Sequence, residues 1–457
     1  MLSITFLRSV FSVALIACSL TVSAAPALGT GIVITPIGML DDYAKSVVVQ
    51  PNGKIVVVGY AYNQRDNGHD YDFALARYTA EGLLDPTFNG SGKIMNPIGS
   101  YTAVGQSVAL QADGKIIVAG YTGISSNYDF AIARYTDTGA IDASFGVNGK
   151  VITPIGSSYA GYANSVTIQT DGKIIVAGYC LGVSNFDFAL ARYTADGVLD
   201  TSFGDNGVVI TSMGALEDKG NSVVLQPDGK IIVTGYSYNN ATYQKRNYFA
   251  LARYTTAGVL DSSFGDNGKV LTPIGLFNAE ASSAVLQPDG KIVVAGYSSN
   301  GNYNDFALAR YTVNGAFDTT FNDVGYVTTA IGTSNSGANA LLLQPDGKII
   351  LAGYGHNGSN DDFALTRFTA TGALDTSFNG NGKVLTSSGS RNDYATGVVL
   401  QSSGKVIVTG YSCIGNLNSV GSYCDFALAR YTPDGVVDQT FGSRKKLSPG
   451  LFMLLLD

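Results

Sequence analysis

The chain has 457 residues, with 56 Gly, 27 Tyr and no Trp; 45% are apolar, 14% are charged, and the formal net charge is −7. So much apolar content excludes a disordered chain. The acidity argues against nucleic acid, whose phosphates need a basic stripe, and against electrostatic docking on an anionic membrane.

The chain opens MLSITFLRSVFSVALIACSLTVSAAPALG. Arg8 precedes an apolar run from Val10 to Val22 that is too short to span a bilayer, and Val22-Ser23-Ala24 offers a cleavage site before Ala25. Residues 1–24 therefore read as a secretory signal peptide. A rival reading takes Leu15-Ile16-Ala17-Cys18 as a bacterial lipobox with Cys18 lipidated. On either reading the mature protein is exported, and is periplasmic, secreted or held at the cell surface. No other segment is long enough to be transmembrane. Beyond the signal stand Cys180, Cys413 and Cys424. Export permits disulfides, and Cys413 and Cys424, at the base of one loop, are expected to pair. Cys180 reads as a small buried hydrophobe.

From residue 31 the chain repeats itself. VQPNGKIVVVGY (49–60), LQPDGKIIVTGY (225–236) and LQPDGKIVVAGY (286–297) are versions of one phrase. Its Gly recurs at Gly53, Gly114, Gly172, Gly229, Gly290, Gly347 and Gly404, about every sixty residues. A second phrase follows, DFALARY at 72–78, 305–311 and 425–431, and then a third, such as GAIDASFGVNGKV at 139–151. The Pro-Asp-Gly turn between short β-branched runs marks a hairpin. Phe249–Tyr254 reads as a third strand and Lys269–Pro273 as a fourth. The second strand is apolar on both faces, as Ile231, Ile232 and Val233 show, so it sits between two other sheets.

Seven sheets of four antiparallel strands, stacked on their neighbours, describe an all-β, seven-bladed β-propeller over residues 31–442. Unit seven lacks a fourth strand, whereas GIVITPIG at 31–38 is an orphan fourth strand resembling GKVITPIG at 149–156. The N-terminal strand is expected to close the last blade, which removes two open edges. An open superhelical stack is the alternative. The tail at 443–457 departs from the pattern.

The units resemble the delta-60 repeat family, exported bacterial β-propeller repeat proteins of unknown function. The resemblance rests on QPDGKIVVAGY, DFALARY and the third phrase. It implies the propeller fold and export, and supplies no catalytic residues.

Each unit repeats one Lys, one Arg and one Asp (Lys230, Arg253 and Asp261 in unit four). A buried Arg needs a carboxylate or carbonyls, and the Asp is the obvious partner, so these residues read as scaffold. The acids of FGDNG and DNGHDYD do not fit a calcium loop, and no cofactor is expected, although calcium remains open. There is no nucleophile elbow, phosphate loop or zinc spacing, and only two His.

Variation concentrates in the segments joining strands two to three and four to one, which emerge on one face, where function is expected. That face is rich in Tyr, Asn and Ser. Its candidate ligand-binding residues are Tyr62, His69, Asp70, Tyr71, Tyr128, Tyr238, Tyr243, Tyr303, His356 and Tyr423. Flat apolar rings with hydroxyls suit a protein or glycan partner. The favoured reading is a monomeric, non-catalytic binding scaffold. The alternative is a polysaccharide hydrolase or lyase with acid/base groups drawn from Asp41, Asp42, His69, Asp70, Glu217, Asp218, Glu280, His356 and Asp393.

Overall fold

The computed structural model describes residues 31–65, 68–125, 127–156, 160–239, 246–414 and 423–443. The expected signal peptide, the end of the tail, Tyr243 and the side chain of His69 lie outside the described residues. Within them each repeat forms one four-stranded antiparallel sheet, and there are seven. In blade 1, Asp42–Val49, Ile55–Arg65, Gly68–Tyr78 and Lys93–Asn96 pair in chain order. Ile55, Val56, Val57 and Val58 are all fully buried. The β-branched run is buried on both faces because each sheet is sandwiched between its neighbours. Between blades 1 and 2, for example, Val58, Phe73 and Leu75 pack with Val118, Ala131 and Ala133.

The ring closes as the orphan strand requires. Ile32–Thr35 pairs with Tyr423–Tyr431 as the fourth strand of blade 7, with Val33 opposite Leu428. Beside it, Ile407 and Leu428 of blade 7 pack with Val57 and Ala74 of blade 1.

The strands run further than apolar patterning indicates. Residues 61–71 read as a loop from sequence. Instead the ladder continues through Asn63 opposite Asp70 to Arg65 opposite Gly68, and blade 2 pairs as far as Ile124 opposite Asn127. Backbone hydrogen bonds do not require apolar side chains, so polar strand ends are invisible to a hydrophobic pattern.

The repeated Arg and Asp form a clasp in every blade, and the repeated Lys joins it in all but blade 3, where Lys173 turns to Asp171 instead. Arg367 Nε lies 2.7 Å from Asp375 Oδ2, and Lys348 Nζ lies 3.1 Å from the same oxygen. The guanidinium sits 4.6 Å from the ring centre of Phe378 and donates to Pro433 O of the next blade at 2.5 Å. Blade 7 completes the circle, with Arg430 donating to Ala80 O of blade 1 at 2.8 Å. One Arg thus meets a carboxylate, an aromatic face and a neighbouring carbonyl, which is why the sequence repeats all of them together.

Candidate functional site

The first strands of the seven blades line a central cavity of about 430 Å³. Each carries a one-residue β-bulge at the same position, as between Ala44 and Ser46 in blade 1 or Gly220 and Ser222 in blade 4. A bulge re-aims the extra side chain. Lys45, Gln106, Asn164, Asn221, Ser282, Asn339 and Thr396 are therefore the seven equivalent residues that line the cavity. Several latch the next blade. Asn221 Nδ2 donates to Ala281 O at 2.8 Å, Asn339 Nδ2 to Ala395 O at 2.8 Å, and Thr396 Oγ1 to Ala44 O at 2.8 Å.

The inner strand also explains the Gly-Tyr pair that ends the opening phrase. A Cβ on Gly59 would stand 1.9 Å from Tyr43 O, and one on Gly235 1.9 Å from Lys219 O. Only Gly admits the inner strand that closely. The Tyr that follows is half-buried in every blade: Tyr60, Tyr121, Tyr179, Tyr236, Tyr297, Tyr354 and Tyr411. These rings form a collar at the variable-loop end of the channel. Inner-strand tyrosines join them across blade boundaries. Tyr43 meets Tyr411 at 5.0 Å, Tyr162 meets Tyr121 at 5.0 Å, and Tyr394 meets Tyr354 at 5.3 Å between ring centres. Burial pushes the hydroxyls of Tyr121 and Tyr411 up to about 12, so the collar stays neutral and keeps its donors at physiological pH.

Charge at the collar is sparse and local. Lys45 Nζ lies 5.6 Å from the ring centre of Tyr60 and 5.5 Å from that of Tyr411. Loss of water pulls its pKa down to about 8. Lys219 lies over Tyr179, Phe186 and Tyr236, and Glu280 accepts from Asn247 Nδ2 at 2.6 Å. Between blades 6 and 7, His356 Nδ1 lies 3.0 Å from Asp361 Oδ1, and Tyr394 Oη donates to Asp361 Oδ2 at 2.7 Å.

The structure sorts the candidates. Tyr71 packs on Tyr43 and Tyr60, and Tyr128 on Tyr121 and Tyr162, so both belong to the collar. His356 reaches it through Asp361. Tyr62 is buried behind Tyr71. Asp70 accepts from Thr102 Oγ1 at 3.3 Å. Tyr238 is half-buried, and Tyr303 and Tyr423 stand exposed on outer segments. The repeated Tyr of the Gly-Tyr pair and Lys45 were missed by sequence reasoning. The available signal was a Tyr recurring in all seven units beside a Gly that no turn requires.

Of the acids weighed for catalysis, Glu217 and Glu280 both bear on Tyr236 of the collar, whereas Asp42, Asp218 and Asp393 do not converge. Asp42, Asp218 and Asp393 occupy one equivalent position in blades 1, 4 and 7, each buried and tied to its own four-to-one segment. Asp42 accepts from Ile37 N at 2.6 Å, Asp218 from Met213 N at 2.7 Å, and Asp393 from Ser388 N at 2.8 Å. Burial pushes Asp42 up to about 7 despite those N–H groups, with Asp425 adding to the rise. A carboxyl with a raised folded pKa contributes its stability in full below the unfolded value near 4 and loses it as pH rises towards 7. The Asp42→Asn variant is therefore expected to flatten this part of the profile, read by denaturant unfolding at pH 5 and pH 8. An unchanged slope would reject the assignment. Among the described residues, no group of three or more His, Cys, Asp or Glu is arranged to hold a metal, and no helix is long and apolar enough to cross a membrane. Cys413 is bonded to Cys424, and Cys180 is buried and free.

No curated protein matches the sequence. Among solved structures, the chain is similar to a protein of unknown function from Dyadobacter fermentans DSM 18053, at 12% identity over 88% of this chain and 98% of that one, with a TM-score of 0.43. It is similar to Sqt1 of Chaetomium thermophilum bound to the N-terminus of ribosomal protein L10, at 11% identity over 87% and 99%, with a TM-score of 0.42. It is also similar to a PL25 ulvan lyase bound to -[GlcA(1-4)Rha3S]-, at 11% identity over 89% and 94%, with a TM-score of 0.48. These likenesses carry nothing about a ligand. The decisive match is to a family model, over residues 50–88, 111–145, 169–203, 226–264, 287–321, 344–378 and 401–441, one stretch per repeat. The chain belongs to the family described as domain of unknown function (DUF5122) beta-propeller.

Proposed function

We propose that the protein is a non-catalytic propeller that binds a glycan at the tyrosine collar. The observation that carries this is the collar itself. It sets seven half-buried tyrosines, extended by Tyr43, Tyr71, Tyr128, Tyr162 and Tyr394, around the end of a polar channel. Ring faces supply apolar contact for the C–H faces of sugars, and neutral hydroxyls supply hydrogen bonds. Concave sites of mixed character are the usual setting for small ligands. The protein acts outside the cytoplasm. The apolar leader and the Cys413–Cys424 disulfide support that.

The test is a glycan and polysaccharide screen on the purified chain, followed by titration calorimetry. Saturable binding is expected. Tyr162→Ala and Tyr394→Ala should each weaken it about tenfold, and Tyr303→Ala should leave it unchanged. Binding that ignores the collar variants would overturn the reading. Two further readings each have one observation behind them. Met39 and Leu276 are 83% and 74% exposed on four-to-one segments, which favours a protein partner. The His356–Asp361–Tyr394 chain favours a hydrolase or lyase, and the same screen would reveal that as cleavage products.

A further inference from the structure

Twelve of the thirteen described lysines have a polar partner. The repeated Lys of each opening phrase reaches an Asp, as Lys54 reaches Asp85 at 2.9 Å or Lys173 reaches Asp171 at 2.7 Å. Lys93, Lys150, Lys269 and Lys383 each donate to a backbone carbonyl of the preceding blade, Lys93 to Pro36 O at 2.8 Å. Lys219 lies 3.9 Å from Glu217. Lys45 is the exception. Among the described residues its ammonium meets only the faces of Tyr60 and Tyr411.

Its position sharpens the point. Lys45 occupies the bulge, where the other blades carry Gln, Asn, Ser or Thr, and it is the one charged residue lining the cavity. An ammonium has three donors and strong hydration, so leaving it beside aromatic faces without an acceptor is costly unless something else supplies the acceptor. Ser107 and Ser165, on the same lining, each already accept a backbone N–H of the next blade, from Val166 and Val223 at 3.2 Å. Their hydroxyl protons are thereby left to point elsewhere, the channel included.

We infer that the bound glycan is acidic, and that the carboxylate of a uronate residue enters the channel end and pairs with Lys45. This rests on the glycan reading of the collar and deepens it. The acids at the collar, Glu217, Glu280 and Asp361, bear on Tyr236, Tyr297 and Tyr354, and none of them pairs with Lys45, whose ammonium faces the rings of Tyr60 and Tyr411. The rest of the chain's negative charge, beyond about 8–10 Å, is screened at physiological salt, whereas a contact pair is not. The collar stacks on the sugar, and Lys45 selects the charged one.

The experiment uses a panel of uronate-containing polysaccharides, each paired with its carboxyl-reduced form, titrated into the full chain. The acidic member of a bound pair is expected to bind about 10- to 100-fold tighter than the reduced one. Lys45→Gln, which installs the residue blade 2 carries at this bulge, should remove that preference. Lys45→Arg should retain it. Bound acidic polysaccharide should also protect Lys45 from amine acylation, read by mass spectrometry. Equal affinity for acidic and reduced forms, or an equal loss for both in Lys45→Gln, overturns the inference and leaves the glycan reading standing. Silence towards every member of the panel overturns the glycan reading itself.

Discussion

Deleting residues 31–38 is expected to open the ring and remove about 3–5 kcal/mol of stability. That is a large fraction of what a domain of ordinary stability possesses. The segment supplies the whole fourth strand of blade 7 and buries Val33 between blades 7 and 1. It also carries Ile37 N and Gly38 N, which satisfy the buried Asp42. Without it, Tyr423–Tyr431 becomes an open edge next to an exposed apolar layer, a template for pairing with another chain. Size-exclusion chromatography should show oligomers or aggregate, and thermal unfolding should shift down and broaden. A synthetic GIVITPIG peptide, added in excess, should restore part of the loss. A truncated chain that stays monomeric with an unchanged Tm would mean that blade 7 does not depend on the N-terminal strand.

The second large effect is expected at the clasp. Asp375→Ala leaves Arg367, which is 4% exposed, as a buried guanidinium without its carboxylate, and this costs about 3–5 kcal/mol. Asp375→Asn should cost less, since an amide oxygen still accepts from the Arg. The same group sets the acid limit of the fold. Burial alone would raise the Asp375 pKa, but the hydrogen bonds from Ser377 and Lys348 and the charge of Arg367 outweigh it and hold the carboxyl well below the usual range. A depressed carboxylate contributes stability that is present above its unfolded pKa and is lost as pH falls through the folded one. Asp85, Asp142, Asp318 and Asp438 are depressed in the same way, and Asp261 is held at about 2. Unfolding below pH 4 should therefore be steep, because several clasps protonate together, and Asp375→Ala should make it measurably shallower. Circular dichroism across pH 1–5 for both chains checks this, and parallel acid transitions would count against the clasp as the origin.

The two predictions test different layers of the same design. The N-terminal strand closes the ring through backbone pairing, a contact made once. The clasp holds each blade to the next through one Arg, and is made in every blade. Neither touches the collar, so variants in either should affect binding only through the folded fraction, whereas the collar variants should do the reverse.

Local chemistry made much of this protein legible in its sequence. The Pro-Asp-Gly turns, the β-branched runs and the orphan strand at 31–38 specify hairpins, blade count and closure, because each depends on neighbours along the chain or on a visible gap in a repeat. The pairing of Arg with Asp followed from the need to neutralise a buried guanidinium. The site was not legible in the same way. Tyr60 and its six equivalents recur in every unit, so they look like core until the ring brings them together at one end of the channel. Lys45 reads as an ordinary polar strand residue until a bulge in the inner strand turns it inward. Asp42, Asp218 and Asp393 look like free acids on a variable face until the fold buries them against their own segments. Sequence by itself determined the blade, its repetition and its closure, since those rest on turn chemistry and strand period. Only the tertiary structure decided which residues meet around the channel, because that depends on register, bulges and the approach of neighbouring blades, none of which leaves a mark on a single repeat.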